Sequence, residues 1–328
     1  MPARQILQAS AILAALVVGV GAAIACPAPP PPVRDLDLPR FYGDAEGSVV
    51  DPALAARHKA AVAPLTAFLR QVVADADKAA ARGDAKAAAC PLAWIAAWAK
   101  GDAWLGNMGT RQAEYQRKWD LAGIALAYLK LRAWASPDQR TQIEPWLVRF
   151  ADTARAFQTA PERKRNNHLY WLGLGLAATA LAADSQRHWD EARKIMGEAA
   201  GHIGADGTLP LELERGARAL HYHAFAVTPL VAMADLAQRR GEDWYGLAGG
   251  ALHRLVAVTL AGLGEPATFD TLAGTAQERP PGTGAGWLTL YARRYPDRLP
   301  KRLPEVPEKH RWLGGDVRHL SQVLPAAH

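Results

Sequence analysis

An all-α fold follows from three features of the chain. Ala dominates it, the β-branched and aromatic runs that strands need are scarce, and apolar residues recur at three- and four-residue spacing almost throughout. With 328 residues, half of them hydrophobic, the chain can bury one large core, and one globular domain is expected over residues 26–328.

The first 25 residues read differently. Arg4 in a short polar start, an apolar run from Ala11 to Val18 and Ala23-Ile24-Ala25 before Cys26 predict a cleaved secretory signal. The apolar run is too short to span a bilayer, and Pro27 to Pro32 break any continuing helix. The mature form is therefore expected in the periplasm or secreted, with no membrane contact. Without Arg4, 37 basic residues face 32 acidic ones, a net charge of +5 that suits an anionic partner. Cys26 and Cys90 are the only cysteines. In an exported chain the simplest reading is one disulfide tying the mature N-terminus to the first helical hairpin. Lipidation of Cys26 is the rival, and Ala23, three residues before it, fits a lipid-attachment motif poorly.

Pro27 to Val50 is Pro-rich, charged and without apolar period, so it reads as an extended or lid segment. Asp51-Pro52 is an N-cap followed by a first-turn Pro; the helix it opens runs to Arg82 with a kink at Pro64. Ala85 to Lys100 carries the stripe Leu92, Ile95, Ala96, Trp98 and Ala99, and Gly101 to Gly109 is a loop. Arg111 to Trp134 is helical, polar on nearly every face up to Asp120, then apolar. That polar half is either solvated or the lip of a groove. Ser136-Pro137-Asp138-Gln139 has the pattern of a capping box and opens a helix to about Phe157. Helices follow over Lys164–Ala183, Arg187–Ile203, Glu214–Arg240 and Trp244–Leu263. Gly264–Gly286 reads as a long loop, Trp287–Tyr295 as a short helix, and the rest as a basic, Pro-punctuated tail. Eight or more such helices joined by short turns predict hairpins wrapped into a partial ring or bundle.

Two polar islands interrupt the apolar pattern. Lys164 to Trp171 packs two cations, Asn166, Asn167, His168 and two aromatics into eight residues. A core helix seldom starts so, because each buried polar group needs a partner. Leu211 to His223 is the second island. Arg215 and Tyr222, seven apart, fall on nearly one helical face. Paired carboxylates for glycoside hydrolysis are wanting, since Glu212 and Glu214 lie on one short stretch. His221 and His223 point to different sides of a helix, unlike metal ligands, and no Gly-x-Ser-x-Gly motif occurs. Proton abstraction beside a carboxylate remains, with an amide, cations or a protonated imidazole stabilising the enolate-like dianion. A nearby Arg or His⁺ would favour the Tyr222 phenolate.

Asn166-Asn167-His168-Leu169-Tyr170-Trp171, together with Arg215 and Ala219 to His223, closely resembles the alginate lyases of polysaccharide lyase family five. The likeness extends through Gly109 to Trp119 and the Cys26/Cys90 spacing. It implies an (α/α) toroid, an incomplete barrel of helical hairpins, with no metal or other cofactor and no nucleic-acid partner. It further implies endolytic β-elimination on mannuronate-rich alginate, leaving 4,5-unsaturated uronate at the new non-reducing ends. Asn167, His168 and Arg215 would neutralise the C5 carboxylate, and Tyr222 would serve as acid and base. Gln112 and Trp119 resemble positions that hold flanking sugars; Arg40 and Tyr42 resemble a mobile lid within residues 36–50. Leu169 departs from a small polar residue in many members, which touches only local fit. A monomer is expected, since no heptad seam is present. The rival functions are a non-catalytic periplasmic polymer-binding or assembly protein, and a glycosidase using Glu212 or Glu214.

Overall fold

The computed structural model describes residues 26–44, 49–278, 280, 286–303 and 309–322. The expected signal segment, 1–25, lies outside the described residues. Helix α1 (Pro52–Ala61) starts where Asp51 Oδ1 accepts from the Leu54 N–H at 2.9 Å. At Pro64 the expected kink is a full break: Val62 separates α1 from α2 (Ala63–Arg82), and Pro64 falls in the first turn of α2, where its missing N–H costs nothing. Then follow α3 (Ala85–Lys100), α4 (Arg111–Leu131), α5 (Pro137–Gln158), α6 (Asn167–Ala182) and α7 (Gln186–His202). The capping box of α5 is formed by reciprocal bonds between Ser136 and Gln139.

The helix expected from Glu214 starts later. A short α8 (Pro210–Leu213) and a tight turn at Gly216–Arg218 precede α9 (Ala219–Gln238). Gly216 has φ +53°, a left-handed conformation through which no right-handed helix runs. Likewise α10 (Leu247–Gly264) is helical only after Gly250, because Ala248 to Gly250 all have positive φ. The stretch expected as one long loop contains α11 (Ala267–Ala273), which buries Phe269; α12 (Trp287–Arg294) comes next. A two-stranded hairpin, β1 (Lys309–His310) and β2 (Gly315–Asp316), folds around Arg311–Leu313, and a 3-10 helix over Val317–Gln322 ends the described chain.

The hairpins α2/α3, α4/α5, α6/α7 and α9/α10 stand side by side, with α2, α4, α6, α9 and α12 inside and α3, α5, α7 and α10 outside. This is an incomplete α/α toroid. Burial follows that arrangement. Every residue of α4 from Gln116 to Leu131 is buried, whereas α7 buries only the stripe His188, Trp189, Ala192, Ile195, Met196, Ala199 and Ala200. Each large apolar side chain so removed from water stabilises the fold by roughly 1.5–3 kcal/mol. Helix α10 is long and apolar enough to cross a membrane, yet Leu252, Leu255, Val256 and Leu260 pack into the core.

The C-terminal hairpin is fixed against α2 and α4. Lys130 Nζ, fully buried, donates to Asp77 Oδ1 and the Gly314 carbonyl, each at 2.6 Å, and to the Asp316 carbonyl at 2.9 Å. A Cβ on Gly123 would come within 2.6 Å of the Arg311 carbonyl, so only Gly lets this segment approach α4 so closely.

Cys26 and Cys90 form a disulfide, which leaves no thiol at Cys26 for a lipid. The tail behind it lies along α3, with Trp94 Nε1 donating to the Pro27 carbonyl and Trp98 Nε1 to the Pro30 carbonyl. Replacing both cysteines with Ser is expected to lower the unfolding free energy by about 2–4 kcal/mol, since the crosslink restricts the unfolded chain. A reduced urea midpoint with an unchanged helical signal in buffer checks this.

Candidate active site

Because the inner helices run in one sense, α4, α6 and α9 all begin at the same rim, where unpaired N–H groups and helix dipoles favour anions. Local chemistry fixes each start. Thr110 Oγ1 accepts from the Ala113 N–H and donates to the Leu38 carbonyl, which ties the lid stem to α4. Asn166 caps α6 by accepting from the His168 N–H. At this rim opens a cleft of about 1400 Å³, lined by nine Lys and Arg side chains against three acids, Asp44, Glu162 and Glu214. The volume exceeds the roughly 300–1,000 Å³ typical of small-ligand pockets.

Tyr222 stands in the first turn of α9 with its phenol in the cleft. The Arg215 guanidinium carbon lies 3.7 Å from the Tyr222 ring centroid, in a cation–π stack. The two meet for a different reason from a shared helical face. Arg215 precedes the helix, and the turn at Gly216 folds its side chain back over the ring. The Tyr222 oxygen is 2.6 Å from that of Tyr42, to which Arg218 Nη1 donates at 2.7 Å. Tyr42 and Arg40 thus bring the segment expected as a lid to the edge of the cleft; Tyr42 also pairs with Val50 in an antiparallel bridge.

Two electrostatic expectations change. Burial pushes the Tyr222 phenol well above its ordinary range, with Tyr42 adding to the rise and Arg215 and Arg218 only partly opposing it, so the resting group is a neutral phenol. His168 is pushed well below the ordinary imidazole range by burial and by the Lys118, Arg215 and Arg111 cations. Its imidazole is therefore neutral and supplies no positive charge. The ring stacks on Tyr115 with centroids 3.7 Å apart, and its Nδ1 is buried without a hydrogen-bond partner among the described residues.

Asn167 is also placed differently from the expectation. Its side chain is fully buried behind the cleft wall, and Nδ2 donates to both Glu212 oxygens at 2.9 and 3.0 Å. Glu212 Oε1 further accepts from the Asn167 N–H at 2.9 Å. Asn167 and Glu212 thus lock the start of α6 and with it the neighbouring His168. Glu212 is buried, committed to Asn167 and not among the side chains that line the cleft, so the glycosidase reading loses that carboxylate.

Gln112 and Trp119 both line the cleft, and Gln112 Nε2 and Trp119 Nε1 are buried without hydrogen-bond partners among the described residues. Trp119 stacks on Trp312 with centroids 4.7 Å apart. The polar half of α4 is not solvated: Gln116, Arg117, Lys118 and Asp120 are all buried, and this half forms the lip and wall of the groove. His223 is structural, accepting from the Leu209 N–H at Nε2 and bonding the Ala219 carbonyl at Nδ1. His221 faces the cleft, and burial beside Arg218 and Arg215 lowers it to about 4.

Sequence reasoning gave no role to Tyr115, Arg218 or the C-terminal Arg311 and Trp312, all of which line the cleft. Tyr115 had a signal, since Gln112, Tyr115, Gln116 and Trp119 recur at helical spacing. Among the described residues no three His, Cys, Asp or Glu side chains gather as a metal site would require.

Toroid and cation-lined cleft together fit a protein that takes an acidic polysaccharide. The sequence profile of the alginate lyase family matches residues 40–269, and the chain belongs to that family. A polysaccharide lyase of Stenotrophomonas maltophilia is 43% identical over 290 residues, covering 88% of this chain and 87% of its own. An alginate lyase of Azotobacter vinelandii is 32% identical over 317 residues, covering 92% and 85%. Among solved structures, alginate lyase A1-III of Sphingomonas species A1, in a variant complexed with tetrasaccharide, superposes with a TM-score of 0.78. At 24% identity over 92% of this chain and 86% of that one, the likeness speaks for the fold.

Proposed function

We propose that this protein cuts mannuronate-rich alginate endolytically by β-elimination, leaving 4,5-unsaturated uronate at each new non-reducing end. The observation that carries the reading is the Arg215 guanidinium lying on the Tyr222 ring inside a cation-lined cleft. A sugar carboxylate beside Arg215 has its charge offset, which makes the C5 proton acidic enough to leave, because the charge that develops in the enolate-like state is stabilised where it forms. Burial and then Tyr42 raise the Tyr222 pKa, and Arg215 and Arg218 favour the phenolate; a sugar that takes the place of Tyr42 against the phenol removes one of the two opposing influences. The phenolate takes the C5 proton. The C5–H electron pair becomes the C4–C5 double bond, the C4–O4 pair departs with O4, and Tyr222 returns the proton to O4.

In mannuronate the C5 proton and O4 share one face of the ring, so one phenol serves both. In guluronate they are opposed and a second base is needed. His168, held neutral by burial and by neighbouring cations, is a weak base, which supports the preference for mannuronate. Asn167 acts here as a positioning residue through Glu212. The disulfide and the character of residues 1–25 support export to the periplasm, and a site complete within one chain supports a working monomer.

Digests of polymannuronate and polyguluronate, read by the ultraviolet absorbance of the unsaturated uronate and by product length, test the reading. Expected are new double bonds chiefly from polymannuronate, with viscosity falling ahead of absorbance. Tight binding without double bonds would make the protein a polymer carrier instead.

A further inference from the structure

Asp120 lies beneath the cleft wall, 1% exposed, in the half of α4 that the sequence leaves ambiguous. Three N–H groups converge on its carboxylate. Trp104 Nε1 donates to Oδ2 at 3.1 Å, Gln116 Nε2 to Oδ1 at 2.8 Å, and Trp312 Nε1 to Oδ1 at 3.2 Å. An indole N–H can only donate, so both Trp contacts need an acceptor at this position. Gln116 and Trp312 line the cleft, and Trp312 stacks on Trp119 although it lies 192 residues beyond Asp120 in the chain.

We propose that Asp120 is a positioning residue for the polysaccharide: by accepting from Gln116 and Trp312 together, it holds the C-terminal segment's indole against Trp119 and so builds the wall on which a flanking sugar lies. This rests on the reading of the cleft as a polyuronate site. Its physical logic is that of a shared acceptor. The Lys130 network anchors the backbone of the C-terminal hairpin, but Asp120 sets the orientation of Trp312, whose ring reaches Trp119 from that hairpin. Stacked aromatics need a fixed plane to receive a sugar face, and a ring free to turn would lose binding to its own rotational freedom.

A consequence for pH follows. Burial raises the Asp120 carboxyl to about 6, while Arg311 and the three N–H donors pull it back down. Arg311, from the C-terminal segment, is the charged group that acts on it, and Arg70 of α2 in turn lies near Arg311. Trp104, Gln116 and Trp312 do not titrate in this range. A protonated Asp120 has a proton to donate, and of its three neighbours only the Gln116 amide can turn to accept it. On acidification through about pH 6 the proton sits on Oδ1 toward Gln116, Trp312 loses its charged acceptor while Trp104 keeps Oδ2, and the wall loosens at Trp312.

The test uses full-length protein with Asp120→Asn and Trp312→Phe, which keeps an aromatic ring but removes the N–H. For Asp120→Asn, KM on polymannuronate is expected to rise about tenfold with kcat within about threefold, the pattern of lost uniform binding. Tryptophan fluorescence of the unliganded wild type should titrate with a midpoint near pH 6, and that of Asp120→Asn should stay flat from pH 5 to 8. Trp312→Phe should raise KM in the same direction and diminish the fluorescence titration. A folded Asp120→Asn protein with wild-type KM and a wild-type fluorescence titration overturns the proposal, as does a fall in kcat with KM unchanged. Should Asp120→Asn fail to fold, Trp312→Phe decides: an unchanged KM overturns the proposal and a raised KM upholds it. If the wild type yields no unsaturated product, the reading of function fails separately; the fluorescence titration and the polymannuronate Kd of the same variants then decide the role of Asp120.

Discussion

Tyr222→Phe is expected to lower kcat on polymannuronate by at least about 10³-fold, because one oxygen serves as base at C5 and as acid at O4, and each such role is worth roughly 10²–10⁴-fold. The substitution is unusually clean. Phe keeps the ring beneath the Arg215 guanidinium and the packing in the first turn of α9, and removes only the oxygen that contacts Tyr42. Folding should therefore survive, and circular dichroism and thermal unfolding of the variant check that. KM should move little, since the sugar acid is held by Arg215 rather than by the phenol.

The same residue sets the expected pH profile. Burial raises the Tyr222 pKa, so the phenolate fraction, and with it kcat, should climb as pH rises through neutrality into the alkaline range. Tyr222→Phe should leave a residual rate without that climb. A variant that keeps wild-type turnover, or a wild type whose turnover falls steadily from pH 7 upward, would remove the phenol from the chemistry.

Much of this architecture is legible in the sequence because it depends on local rules. Asp51-Pro52 and Ser136 to Gln139 announce helix starts through side chains that reach their own backbone, and the structure shows those bonds. The Cys26–Cys90 pairing is the simplest reading of a chain with two cysteines, and the structure forms it. What escapes the sequence depends on partners far away in the chain. The polar half of α4 reads as either solvated or a groove lip until Asp120 is seen to accept from Trp312, and Arg117 from α4 to donate to the Trp104 and Gly106 carbonyls. Asn167 reads as a free amide until Glu212, 45 residues on, claims it. The charge states of His168 and Tyr222 escape for the same reason, since desolvation is a property of the packed state. Gly216 is the exception: a single residue with φ +53° decides where α9 begins, and any Gly in a helical pattern can be the place where the pattern stops.

Arg215→Ala is expected to lower kcat by about 10²–10³-fold, the usual cost of removing one preorganised group that meets charge developing in the transition state. Arg215→Lys should recover little of it. A guanidinium lies flat on the Tyr222 ring and presents a planar fork to a carboxylate, whereas an ammonium is a hydrated point charge on a flexible stem. How the loss divides between constants separates two roles: a lower kcat with KM nearly constant means that the cation acts on the transition state, and a higher KM with kcat retained means that it only holds the polymer. A second measurement needs no substrate. Arg215 is one of the cations that keep the His168 imidazole neutral, and a nearby positive charge disfavours a second one. Taking Arg215 away should therefore raise the His168 pKa, visible as an upward move of its imidazole titration by NMR. If turnover falls while that titration stays in place, the Arg215 charge does not reach His168, and the picture of one cation tuning both the phenol and the imidazole is wrong.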